Sequence, residues 1–211
     1  LKQLIENRTQ MLAAISHDLR TPITLLRLRI ESLDESEDRT RMLATLDDMQ
    51  NMVASTLDFA REDAKTEERR TVDLSALIAA ICDDLSDAGH DVEFTEAESV
   101  NYECRPVSLK RAITNLMDNA IKYGGPARVT LSTTAGDVHV TVDDDGPGLP
   151  YDQLERVFQP FFRCEGSRSR ETGGVGLGLS AAKTVAQSHG GDIILQNRNG
   201  GGLRATLTLP G

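Results

Sequence analysis

The chain has 211 residues, 39% of them hydrophobic and a further 17 glycine, enough for one large or two small globular domains and unlike a disordered or fibrous chain. With 33 acidic against 23 basic side chains its net charge is −10, which sets it against nucleic acid and anionic lipid as partners. Three cysteines, Cys82, Cys104 and Cys164, have no metal-ligand spacing and cannot all pair, so a reducing compartment such as the cytoplasm is the simplest setting.

Residues 1–11 read as the end of an upstream helix, and the start at Leu1 is expected to be that of a soluble fragment of a longer chain. From Leu12 the apolar positions Ile15, Leu19, Ile23, Leu26, Ile30 and Leu33 step by three or four, the pattern of one long helix with one buried seam. A polar break, Asp34–Arg39, precedes Met42, Leu46, Met49, Val53, Leu57 and Ala60 at the same spacing, a second helix. A lone hairpin has too little core to bury both seams, so a homodimeric four-helix bundle is expected. Within the first helix, His17 lies two residues from the seam positions on either side, which turns it to the outer face. Pro22 lacks an N–H and sets its ring against the carbonyl of Asp18, so the helix is expected to kink or loosen just after the histidine. Taken alone, His17 reads as solvated surface, and a functional reading needs support from elsewhere.

The charged stretch Arg61–Arg70 reads as helix end and linker, giving three parts: 1–63, a linker 64–72, and 73–211. In the third part Asp73 can cap a helix with Leu74, Leu77, Ile81 and Leu85 inward. Strands are expected over Asp91–Thr95, Arg128–Ser132, Val138–Asp143, Ile193–Gln196 and Leu203–Leu209, with helices near 107–122 and 180–189. The fold class is therefore a helical hairpin plus an α+β domain in which one mixed sheet is covered by helices.

Four features of the α+β part converge on phosphate chemistry. Asn115, Asn119 and Lys122 share one helix face beside the buried stripe Leu109, Ile113, Leu116 and Ala120; an amide oxygen suits Mg²⁺ and an ammonium suits phosphate. In the strand Val138, Val140, Val142, continued parity puts Asp144 on the apolar face while Asp143 and Asp145 point away. A buried carboxylate needs a donor, which the amino group of adenine offers, and Gly146-Pro147-Gly148 would let the backbone pass close to a flat ring. Gly173 to Leu179 is a glycine loop running straight into a helix N-terminus, an anion cradle, although it matches neither the P-loop nor the dinucleotide fingerprint. Finally, Arg163–Thr172 is polar and charged, with Arg163, Arg168 and Arg170, and sits where a mobile lid would.

Five segments in order, Ser16-His17-Asp18-Leu19-Arg20-Thr21-Pro22, Asn115-Leu-Met-Asp-Asn119-Ala-Ile-Lys122-Tyr123, Asp144-Asp-Gly146-Pro-Gly148, Phe158-Gln-Pro160-Phe161-Phe162 and Gly174-Val-Gly176-Leu177-Gly178-Leu179, resemble the H, N, G1, F and G2 boxes of sensor histidine kinases. The H box is most similar to the osmosensor-like class. The resemblance spans essentially the whole chain and implies a dimerisation and phosphotransfer hairpin joined to an ATP-binding domain of the gyrase, Hsp90, histidine kinase and MutL type.

That resemblance implies His17 as phosphoacceptor, Asp18 as the acid that orients its ring or takes its proton, and Thr21 as the residue that helps place water for regulator dephosphorylation. It implies Asn119 as the Mg²⁺ ligand and Asn115 as polar support beside it. Lys122, Tyr123 and Arg163 become phosphate or ribose contacts, Asp144 the adenine partner, and Gly146, Gly148, Gly174, Gly176, Leu177 and Gly178 the two sides of the ATP pocket. In such kinases an acidic residue is common shortly before the N-box helix, whereas Arg105-Pro106 stands here. The implied partners are a second copy of the chain, ATP with Mg²⁺, and the receiver domain of a response regulator; membrane attachment would come only through an upstream region, making this the cytoplasmic portion of an inner-membrane sensor. A protein-serine kinase of the same ATPase superfamily would not need the His17–Pro22 box, and a non-catalytic dimeric scaffold would not need the nucleotide motifs.

Overall fold

The computed structural model describes residues 19–62, 67–95, 98–164 and 175–211. It divides into two compact units, one containing the helical hairpin and one made of Glu67–Arg168 and Gly178–Gly211. Among the described residues no helix is long and apolar enough to cross a membrane.

In the hairpin unit, helix α1 covers residues 19–31 and α2 covers Glu37–Glu62. Arg39 joins the two: its Nε donates to the Ile30 carbonyl at 3.3 Å and its Nη2 to that of Glu31 at 3.2 Å, satisfying carbonyls that the end of α1 leaves open. Ser36 Oγ accepts the Arg39 N–H at 3.1 Å and so starts α2. Arg27 and Asp47 pair across the hairpin. Along the seam only Ile23 and Leu46 are buried among the described residues; Leu19, Leu26, Leu33, Met42 and Met49 keep 40–50% of their surface exposed. Pro22 lies inside α1 with residues 19–21 before it helical, while His17 and Asp18, whose carbonyl the proline ring opposes, lie outside the described residues.

The larger unit contains every helix and strand anticipated for it. Its order is β1 (Arg70–Asp73), α3 (Leu74–Asp87), β2 (Val92–Thr95), β3 (Asn101–Cys104), α4 (Pro106–Gly124), β4 (Ala127–Thr134), β5 (Asp137–Asp143), a 3₁₀ turn (Arg156–Phe158), α5 (Gly178–Ser188), β6 (Asp192–Asn197) and β7 (Leu203–Leu209). The five-stranded sheet runs β2-β4-β5-β7-β6, with β2 and β4 parallel and the other pairs antiparallel. Alternation along β4, β5 and β7 sends Val129, Leu131, Val140, Val142, Leu207 and Leu209 into one core with Leu74, Ile78, Leu109, Ile113 and Leu116 of α3 and α4. Asp73 caps α3 by accepting the N–H groups of Ser75 and Ala76, as its position before Leu74 predicts.

One addition changes the boundary. Strands β1 and β3 form a separate two-stranded sheet, Val72 opposite Tyr102, so residues 70–73 belong to this unit and not to a linker that runs to 72. At four residues each these strands are too short to read: β1 has no alternating burial, and in β3 alternation amounts to Tyr102 and Cys104 alone.

The start of α4 is held from a distance. Arg105 occupies the N-cap position without a side-chain cap bond, and Pro106 follows. A carboxylate from outside the helix caps it: Glu67 accepts the N–H of Val107 at 2.7 Å, the N–H of Ser108 at 3.0 Å and the Ser108 hydroxyl at 2.6 Å. Burial acts to raise the Glu67 pKa, but these hydrogen bonds outweigh it and hold the group below its ordinary value. Behind it, the Arg105 N–H donates to His189 Nε2 at 3.0 Å, and His189 Nδ1 donates to the Val185 carbonyl at 2.8 Å, tying α4 to the end of α5 through a neutral imidazole.

Burial lowers the His189 pKa from its ordinary 6.5. The unfolded chain therefore binds a proton that the native state refuses, and stability present above that value is lost on acidification, with Glu67 acting in the same direction at lower pH. The urea midpoint of the chain is expected to fall between about pH 7 and pH 5, and to fall less steeply in a His189→Gln variant, whose amide can keep both bonds without titrating.

Candidate functional site

The β5 pattern of alternating burial continues one residue beyond the strand, so Asp144 arrives on the core side with 6% of its surface exposed. Its Oδ1 accepts the N–H of Gly146 at 2.8 Å and of Leu203 at 3.0 Å, and its own N–H donates to the Leu203 carbonyl at 3.0 Å. A buried carboxylate is thus compensated by fixed backbone donors. The space around it exists because three neighbours lack side chains. A Cβ on Gly124 would lie 2.3 Å from Asp144 Cβ, one on Gly202 would lie 1.9 Å from the Asp144 carbonyl oxygen, and one on Gly146 would lie 2.6 Å from the Tyr123 carbonyl oxygen.

The sequence suggests Gly146 and Gly148 as places where backbone meets a flat ring; in the structure their close approaches are to protein. Gly146 abuts the last turn of α4, and Gly148, at φ +71°, sits where a Cβ would be 2.6 Å from Asn197 Oδ1. Asn197 accepts the Leu149 N–H at 2.8 Å and donates to the Leu149 carbonyl at 2.7 Å, closing the loop onto β6.

The flanking aspartates face outward, as parity predicts, and arginines hold them. Arg204 grips Asp143 with two bonds of 2.7 and 2.5 Å. Arg128 grips Asp145 with two of 2.8 and 2.6 Å, and Arg198 adds a third at 2.9 Å. Hydrogen bonds from Arg128 and Arg198 pull the Asp145 pKa down to about 2.

On α4, Asn115 and Asn119 are half-buried and Lys122 is exposed. Asn119 Nδ2 donates to the Asn115 carbonyl at 2.7 Å, which commits the amide nitrogen and leaves Oδ1 as the atom able to meet a cation. The first residue of α5 is adjacent: a Cβ on Gly178 would be 3.5 Å from Asn119 Nδ2 and 3.7 Å from Asn115 Oδ1. A positive helix end and an amide pair therefore share one edge, a place for a bound anion and its counter-cation. Lys122 Nζ is 5.9 Å from the ring centre of the half-exposed Tyr123.

Contacts thus join Asn115, Asn119 and Gly178 in one group and Asp144, Gly124 and Gly146 in another, with α4 carrying residues of both. Gly176 has φ +75° and Leu177 is buried; Arg163 is half-buried, and Thr21 is exposed on α1. Gly173 and Gly174 lie outside the described residues, as do His17, Asp18 and residues 165–172 of the expected lid. Sequence reasoning missed Gly124, Gly202, Glu67 and the arginines at 128, 198 and 204. The doublet Gly124-Gly125 at a helix end and the triplet after Asn199 were visible signals of tight packing; the arginine partners depend on strand register.

Residues 104–211 match the family model of histidine kinase-, DNA gyrase B- and HSP90-like ATPases, and residues 7–65 match the phosphoacceptor domain of histidine kinases. The chain belongs to the histidine kinase family. It is 42% identical over 211 residues to the sensor histidine kinase GtrS of Pseudomonas aeruginosa, covering all of this chain and 43% of that protein. It is 30% identical over 223 residues to the sensor histidine kinase CpxA of Escherichia coli, covering all of this chain and 48% of that one. The crystal structure of the ATP-binding domain of PrrB from Mycobacterium tuberculosis is 28% identical, covers 68% of this chain and 98% of that chain, and superposes with a TM-score of 0.57. This kinase chain spans less than half the length of the two curated relatives.

Two glycines of the same turn separate strain from collision. A Cβ on Gly202 (φ +94°) would lie 1.9 Å from the Asp144 carbonyl oxygen, whereas one on Gly200 (φ +98°) would meet nothing within 4 Å. Gly200→Ala is expected to cost about 1 kcal/mol of stability from strain alone, and Gly202→Ala about 3 kcal/mol or more, together with loss of ATP binding. Thermal melts and nucleotide titration of the two variants check this.

Proposed function

We propose that this chain is the catalytic core of a sensor kinase that transfers the γ-phosphoryl group of ATP to His17 and from there to an aspartate on the receiver domain of a response regulator. The observation that carries the reading is the juxtaposition of a backbone-anchored buried carboxylate, an amide pair and a helix N-terminus, in a member of a family defined by this chemistry.

Asp144 accepts a hydrogen bond from the exocyclic amino group of adenine through the carboxylate that Gly146 and Leu203 orient. Asn119 Oδ1 would hold Mg²⁺, with Asn115 supporting it. When bound, Mg²⁺ offsets charge on the transferring group. The N-terminus of α5, with Gly174, Gly176, Leu177 and Gly178, cradles the phosphates, and Lys122, Tyr123 and Arg163 contact phosphate or ribose. His17 Nε2 attacks the γ-phosphorus, an N–P bond forms as the bond to the ADP oxygen breaks, and Asp18 orients the ring or takes its proton. Thr21 places water when the regulator is dephosphorylated.

The half-open seam of Leu19, Leu26, Leu33, Met42 and Met49 supports a homodimeric bundle, which would cover it. Membrane attachment belongs to the longer parent chain that the curated relatives suggest.

Incubation with ATP labelled on the γ-phosphate is expected to give protein-bound label that is lost in acid, stable in base and absent from His17→Ala. Label that persists in that variant would assign the chemistry to another acceptor, such as a serine. An intact dimer that fails to bind Mg-ATP would leave a non-catalytic scaffold.

A further inference from the structure

The β5–β7 ladder ends at the pair Asp143 and Arg204, and one residue later the chain must stop being a strand and become a binding loop. At that point the Asp144 N–H still finds the Leu203 carbonyl, but among the described residues the Asp144 carbonyl has no strand partner. Arg198 takes it. Its Nη1 donates to the Asp144 carbonyl oxygen at 2.5 Å and to Asp145 Oδ1 at 2.9 Å, and its Nε lies 3.7 Å from Asp143 Oδ2. One guanidinium thus engages three consecutive residues, with only 28% of its side chain exposed.

The arginine is itself fixed. Its N–H donates to the Gly202 carbonyl at 3.0 Å and its carbonyl accepts the Gly201 N–H at 3.3 Å, so the turn that carries Arg198 also delivers the Leu203 N–H to Asp144 Oδ1. Arg128 holds Asp145 from the opposite strand, β4. The Asp144 carboxylate is therefore oriented on one side by two N–H donors, and its backbone is clamped on the other by Arg198 Nη1, which bonds both the Asp144 carbonyl and Asp145 Oδ1.

We propose that Arg198 is a positioning residue for base recognition: by locking the backbone of residues 143–145 it sets the orientation of the Asp144 carboxylate, and so sets the preference for a purine bearing a 6-amino group. This rests on the reading of Asp144 as the adenine partner. Arg198 makes no contact with the nucleotide in this scheme, so its effect passes through one hydrogen bond of the ligand and no other.

The test pairs a change in the protein with a change in the ligand. Affinities of the whole 211-residue chain for ATP and for purine riboside triphosphate, which lacks the 6-amino group, are measured by competition for wild type, Arg198→Ala and Arg198→Lys. Wild type is expected to favour ATP by about tenfold or more, the worth of a hydrogen bond to a charged group. In Arg198→Ala that preference is expected to shrink to about twofold or less, with affinity for the analogue nearly unchanged, and Arg198→Lys is expected to fall between. Equal loss for both nucleotides would make Arg198 a general structural or electrostatic contributor and overturn the proposal, as would an unchanged preference. Should melting show that Arg198→Ala does not fold, Arg198→Lys decides by the same ratio. A wild type with no preference for ATP over the analogue would instead remove the Asp144 reading, and the proposal with it.

Discussion

A carboxylate buried at the end of β5 is the constraint around which the larger unit is organised. Asp144 is 6% exposed, and an ionised group there is tolerated only with donors already in place. Two backbone N–H groups meet it, and each demands something of the chain that brings it. The Gly146 N–H requires the loop after β5 to turn back against the last turn of α4, which only a residue without Cβ permits. The Leu203 N–H requires the β6–β7 turn to close over the Asp144 carbonyl, which again only glycine permits. Residues far apart in sequence are thereby committed to one small volume.

Helix α4 is the beam that connects this corner to the phosphate side. Its apolar stripe, Leu109, Ile113, Leu116 and Met117, is fully buried or nearly so, while the neighbouring stripe presents Asn115 and Asn119 to the start of α5. Its two ends are fixed by different means: at the N-terminus Glu67 and His189 satisfy donors that a helix leaves open, and at the C-terminus Gly124 packs on Asp144. Because Glu67 lies at the entry of the chain into this unit, the segment that follows the hairpin is hydrogen-bonded directly to the helix that carries the proposed metal ligand.

The hairpin unit is built on the opposite principle. Its turn is well satisfied by Arg39 and Ser36, yet few of its described apolar side chains are covered, Ile23 and Leu46 being the buried pair. Stability of such a pair of helices comes from what packs on the seam. A surface of that kind suits the homodimeric bundle proposed for this unit.

What could be read from the sequence was whatever rests on local period and local chemistry. The spacing of Ile23, Leu46 and their neighbours gave two helices, alternation through Val138, Val140 and Val142 placed Asp144 inward, Asp73 marked the start of α3, and the ordered boxes pointed to the family that the comparisons show. What could not be read rests on register and on contacts between distant segments. Arg128, Asp143 and Arg204 stand side by side only because β5 lies between β4 and β7 in this register. Glu67 caps α4 across 40 residues of chain, and the short strands β1 and β3 exist only as a pair. A period is a property of neighbours along the chain and survives in the sequence; a register or a remote cap is a choice among many pairings, and only the packed structure makes it.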